Sequence, residues 1–259
     1  MAVSDVYHLA VGPAPNLDAG LVRNVAATID KSPYDARLLL AGGIPRIVAH
    51  YESMQGAQSA ARKLGELGLK AIACRDSDLR QAQQGFKARR LQFKEKEVLF
   101  IDSAGREKSI GPDDVFLVLE GRRDTSVAVE TTKPKVKFSL TRTLLAGGIP
   151  IWHKVNERTT LESIQSELFA RLYNRESATP SAEVLQHHLD YSFLGAQIAT
   201  SSITNFGKVV LRLREVFPKA IFDDRLLKPH PNRVWENVDT NCHLIWLFHS
   251  ASGGPHLPT

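Results

Sequence analysis

The chain has 259 residues, 43% of them hydrophobic and 24% charged, with a formal net charge of +5. That balance excludes a disordered or fibrous chain and leaves room for one large or two small domains with a real core. No run approaches the roughly 18 to 20 apolar residues that span a bilayer, and residues 1–11 lack the basic start and apolar centre of a signal peptide, so the expectation is a cytoplasmic protein.

The two cysteines, Cys74 and Cys242, are too far apart in sequence to make a CxxC pair and too few for a disulfide framework; both read as buried small apolar residues. The positive charge is uneven. Residues 80–142 hold 14 Lys/Arg against 9 Asp/Glu, which is the whole formal excess. Acids interleave with these bases, so a solvated face is the first reading and a nucleic-acid footprint the alternative.

Residues 6–11 form a short apolar strand ended by Gly12-Pro13-Ala14-Pro15. Asn16 is placed to cap a helix in which Leu17, Leu21, Val22, Val25, Ala26 and Ile29 share one stripe. Ser32-Pro33-Tyr34-Asp35 then carries a complete helix start: a hydroxyl cap, proline where its missing N–H costs nothing, and an acid at the third position. A short helix over 33–41 follows. Gly42-Gly43 and Pro45 stop it, and the chain turns directly into a β-branched strand at 46–51. Ser53 caps a third helix with a small-residue stripe, Ala57, Ala60, Ala61, Leu64 and Leu67, which Gly68 ends before a strand at 69–74. The expected order is β-α-α-β-α-β, with three helices on one face of a small sheet.

That order, with Pro33 to Arg37, Gly43-Ile44-Pro45, the alanine-rich helix and Gly68, resembles the C-terminal domain of the bacterial ribosomal stalk protein, whose fold is shared with the Clp protease adaptor. The resemblance covers residues 1–80. It implies a fold and a habit of binding proteins through the short helix, with Tyr34, Arg37 and Leu38 as the contact residues. The stalk domain presents lysines there; here Tyr34 stands at the first such position and Arg37 keeps the second charge, while Leu38 and Leu40 add apolar surface. The acidic and histidine pocket of the Clp adaptor has no counterpart in these helices.

Residues 76–85, polar with three glutamines, read as a linker. Beyond it, residues 87–94 alternate basic and apolar, residues 98–102 are apolar, Ser103-Ala104-Gly105-Arg106 is a hairpin turn and residues 115–119 are a strand. These short strands and tight turns predict an antiparallel sheet, similar to the opening half of bacterial pleckstrin-homology-like domains over 86–251. Lys87, Arg89 and Arg90 are its candidate anion contacts, with a charged edge strand as the alternative.

Residues 125–137 add an edge strand. Residues 142–150 repeat residues 37–45 with one change, Thr143 for Leu38, while the flanks disagree, so the repeat reads as shared turn chemistry. Leu161, Ile164, Leu168 and Leu172 have helical spacing, although 168–173 also suits a strand. Residues 184–195 are apolar enough for core. An amphipathic helix capped near Asn205 follows, with Phe206, Val209, Val210, Leu213, Val216 and Phe217 inward and Lys208, Arg212 and Arg214 outward. A strand at 220–222, a proline-bearing loop at 228–232, an apolar segment at 242–249 and a flexible tail at 252–259 complete the chain.

His187, His188, Asp190, Asp223, Asp224, Cys242, His243 and His249 are the residues of a metal-dependent hydrolase reading, but none shows helical metal-ligand spacing with a third ligand fixed. There is no nucleophile elbow, dinucleotide fingerprint or P-loop. The sequence therefore predicts an α+β protein, a small β-α-α-β-α-β domain followed by a mainly antiparallel β domain closed by C-terminal helices. Its expected function is non-catalytic protein binding, as an adaptor, with no cofactor.

Overall fold

The computed structural model describes residues 5–14, 16–81, 85–138, 152–228 and 237–252. The fold is α+β, as the sequence predicts. The repeat at 142–150, the loop at 229–232 and the tail beyond Ser252 lie outside the described residues.

β1 (Tyr7–Val11), α1 (Ala19–Ile29), α2 (Pro33–Leu40), β2 (Arg46–Tyr51), α3 (Met54–Glu66) and β3 (Ala71–Arg75) follow the expected order. The strands form an antiparallel sheet in the order β2-β1-β3. Asp18, not Asn16, caps α1: its carboxylate accepts from the amides of Gly20 and Leu21, and Asp30 closes the helix in the left-handed region. Ser32 caps α2, taking the Asp35 amide and donating its own hydroxyl to the Asp35 carboxylate at 2.7 Å. Val22, Val25, Ala36, Leu40, Ala60 and Leu64 cover one face of the sheet against Leu9, Val11 and Val48. Leu40 is thus core rather than added surface, because it sits one turn after Ala36 on the inward side.

The stretch read as a linker opens with a helix, α4 (Asp76–Gln81), preceded directly by β3. Its Leu79 is buried with Ala10, Cys74, Leu244 and Phe248. The second face of the small sheet is therefore covered too, and by a helix from the far end of the chain.

Beyond α4, the basic strand divides at Arg89. β4 (Lys87–Ala88) joins one sheet, while β5 (Arg90–Phe93) pairs with β6 (Val98–Ile101), which pairs with β7 (Glu107–Ile110). The remaining strands are β8 (Leu117–Phe138), β9 (Trp152–Tyr173), β10 (Ala182–Leu185) and β11 (Ile221–Leu226), with sheet order β11-β8-β9-β10-β4. β9 and β10 are antiparallel; the two outer pairs are parallel. The helical spacing of Leu161 to Leu172 does not produce a helix. These residues lie in β9, because strand pairing overrides a periodicity carried by only four leucine-type positions.

Leu185 is followed by a 3₁₀ turn, Ser192–Gln197, and by α5 (Ser202–Val216). Ser201 caps α5; Asn205 lies inside it, its side chain bonded to both the amide and the carbonyl of Ala199. Phe206, Val209, Leu213 and Phe217 pack with Leu91, Val98, Phe100, Val118, Leu172 and Val184 into the largest core. The opposite face of the same sheet, Leu117, Leu119, Phe169, Tyr173 and Leu185, packs on Cys242 and Ile245 of α6 (Val238–Ser252). α6 is apolar almost all round because it has sheets on two sides: Leu244 and Phe248 meet the first, Cys242 and Ile245 the second. Ile44, from the turn between α2 and β2, is buried in this second core as well.

By contacts, residues Met1–Arg122 and Leu168–Thr259 form one compact unit and Arg123–Glu167 another. The second includes residues 123–138 of β8 and 152–167 of β9. Arg123 Nη2 meets Glu167 Oε2 at 2.9 Å there, and the Ser166 hydroxyl donates to Asp124 at 2.7 Å.

Candidate functional site

Tyr34, Arg37 and Leu38 lie together on the outer side of α2. Ala36 and Leu40 turn inward, so residues 34 and 38, one turn apart, face solvent with 72% and 43% of their surfaces exposed. The three form a single small patch in which two apolar side chains flank a guanidinium. The cap at Ser32 and the stop at Gly42, with φ near 140°, hold the helix ends in place.

Lys87, Arg89 and Arg90 are all exposed, but they do not share one site. Arg89 and Arg90 line an open cleft of about 880 Å³ with Asp102, Ser103, Ala104, Gly105 and Asp190; Lys87 is not among its lining residues. Asp102 is engaged by the hairpin itself, accepting from the amides of Ala104 and Arg106 and from Arg106 Nε. Hydrogen bonds from Ser192, and then the nearby charges of Arg90 and Arg89, hold Asp190 below the usual carboxylate range. Arg89 and Arg90 thus share the cleft with Asp190 and with an Asp102 that Arg106 already pairs.

The C-terminal His, Cys and Asp residues part company. Asp223 on β11 accepts from His249 Nε2 at 2.8 Å and from Arg225 Nε at 2.9 Å, while Arg225 Nη1 donates to the Gly43 carbonyl at 3.1 Å. Burial alone pushes Asp223 up, but the bonds from His249 and Arg225 outweigh it and hold the carboxyl far below its ordinary value. Arg225 and His249 line a cleft of about 410 Å³ with Lys70, Pro13, Pro45, Phe248 and Ser252. His243 is buried elsewhere on α6, and desolvation brings it down to about 4. The buried thiols of Cys74 and Cys242 are pushed up to about 12 and about 11, first by desolvation, and so are not thiolates at neutral pH. Among the described residues, no three His, Cys, Asp or Glu side chains converge to hold a metal ion.

Sequence spacing missed a cluster on the small sheet. His8 on β1 stands opposite His50 on β2, and their Nδ1 atoms are 2.7 Å apart; His8 Nε2 lies 3.1 Å from Asp76 Oδ1. His8 is buried and His50 exposed. Desolvation, then His8 and Lys31, lower the His50 pKa. Residues 8, 50 and 76 are far apart in the chain, so only the alternation of β1 and β2 hinted at a shared face.

Comparison of the chain with protein-family models, with curated proteins and with solved structures returns no match. Among the described residues, no helix is long and apolar enough to cross a membrane.

Proposed function

We propose that this is a non-catalytic binding protein of the cytoplasm that docks a protein partner on α2, in the manner its stalk-domain-like wording implies. The observation that carries the reading is the exposure of Tyr34 and Leu38 one turn apart, beside Arg37, on a helix that Ala36 and Leu40 anchor in the core. An aromatic and an arginine are the residue types that dominate protein contacts. An apolar pair left in water on a short capped helix offers the i, i+4 anchor of a helix-face interaction. The chemistry-bearing groups support the same reading. Asp223 is committed to Arg225 and His249, and the thiols are protonated.

A photo-crosslinking residue placed at position 34 of the whole chain tests this in native lysate. A discrete protein adduct that disappears with Leu38→Asp or Arg37→Glu, while the circular dichroism stays unchanged, supports the assignment. Crosslinking that is absent, or indifferent to both substitutions, removes α2 as the contact surface. Binding that instead tracks the Arg89 and Arg90 cleft and falls steeply with salt moves the function to nucleic acid.

A further inference from the structure

We propose that His8 and His50 form a two-histidine site for a divalent transition metal such as Zn²⁺ or Cu²⁺, with Asp76 orienting His8 from behind.

Asp76 accepts from the His8 ring at Nε2, so a neutral His8 carries its proton on that nitrogen and its lone pair on Nδ1. That lone pair points at His50 Nδ1, 2.7 Å away, and the two rings meet edge to face with centroids 4.9 Å apart. In the metal-free pair, one Nδ1–H of His50 fills the gap. When His50 takes its other neutral tautomer, with that proton on Nε2 instead of Nδ1, two imidazole lone pairs converge on one point, which is what a borderline metal requires. A carboxylate holding the far nitrogen of a ligating histidine is the usual outer partner at such sites, since it fixes both the tautomer and the ring plane.

The surroundings allow it. Two ligands at about 2.0 Å in a tetrahedral arrangement lie about 3.3 Å apart, so the rings must separate by roughly half an ångström. His50 can move that far, being exposed on β2, an outer strand of the sheet. His8 is the fixed half, buried and tied to Asp76. With no third protein ligand converging among the described residues, water completes the coordination. Arg80 pairs with Asp76, and Lys31 acts on His50, so the local charge is not strongly negative. This favours a metal held by imidazole over the hard, oxygen-seeking Mg²⁺ or Ca²⁺.

Isothermal titration of untagged whole chain with Zn²⁺ in a non-chelating buffer, repeated with Cu²⁺, tests the site. One equivalent is expected to bind to the wild type. His50→Ala, at an exposed position, is expected to lose that equivalent while its fold persists by circular dichroism. Asp76→Asn is expected to weaken binding about 10–100-fold, the usual effect of removing a supporting carboxylate. No stoichiometric uptake by the wild type, or uptake that His50→Ala leaves unchanged, overturns the site and leaves a proton-sharing pair. Undiminished affinity in Asp76→Asn overturns the orienting role.

Discussion

Arg171 on β9 and Glu183 on β10 stand directly opposite each other, with Nε and Oε1 2.7 Å apart and both side chains buried. The same guanidinium reaches Asp239 at the start of α6 at 2.5 Å. A charge cluster thus sits where the large sheet meets α6, surrounded by Tyr173 and Cys242. Burial works against the Arg171 charge, but Cys242 and Tyr173, and then the carboxylates of Glu183 and Asp239, more than compensate, and it stays protonated. Glu183→Gln leaves a buried cation short of one partner, and the expected cost is about 3–5 kcal/mol. Arg171→Met combined with Glu183→Leu is expected to cost less than Arg171→Met or Glu183→Leu alone, since the two buried charges leave together and only the partly exposed Asp239 loses a partner. Urea unfolding of Glu183→Gln, Arg171→Met, Glu183→Leu and the double variant checks the order.

Stability is expected to fall with acid in two steps. His243 has a folded pKa of about 4 against an ordinary 6.5. The unfolded chain takes up this proton first, so stability is lost as pH falls from about 6.5 to about 4, by roughly 3 kcal/mol at about 1.4 kcal/mol per unit. Asp223 lies on the other side of that window. Its folded pKa is depressed, so its contribution is complete above about pH 4 and disappears as pH drops further. Unfolding midpoints from pH 7 to pH 2 are expected to flatten in the upper window for His243→Phe and in the lower one for Asp223→Asn.

Gly121 marks the close crossing of β8 with its neighbours. A methyl group there would stand 2.6 Å from Phe169 Cε1 and 2.8 Å from Leu226 Cβ, both in the buried core. Gly121→Ala is expected to destabilise by about 1–3 kcal/mol or more, measured by thermal or denaturant unfolding. Gly65→Ala, whose added carbon meets nothing within 4 Å, serves as the control.

The small sheet depends on α6. Leu244 is buried against Ala10, Cys74 and Leu79, and Leu244→Ala is expected to cost about 2–5 kcal/mol. Tyr34→Ala, at an exposed position, is expected to stay within about 0.5 kcal/mol. Residues 1–80 expressed alone would bare Ala10, Ile47, Ile72, Cys74 and Leu79, and are expected to self-associate or bind a hydrophobic dye. Size-exclusion chromatography beside the whole chain checks this.

The sequence by itself determined the structure from Ser32 to Tyr51, because a cap, a proline at the first helical position, a glycine stop and a β-branched run act within a few residues of one another. The other two helices of the small sheet and the amphipathic α5 were legible from their stripes for the same reason. Their caps were displaced by a few residues wherever several polar side chains competed, as with Asn16 and Asp18, or Asn205 and Ser201.

Tertiary structure decided everything that needed a distant partner. Leu161 to Leu172 became strand because β8 and β10 flank β9, and the linker became a helix because α6 offered Leu79 a place to bury. Asp223 met His249, and His8 met His50, only through strand register and helix packing. No local spacing encodes such meetings: a side chain's immediate neighbours set its backbone preference, but its chemical partner is set by whichever element buries the opposite face.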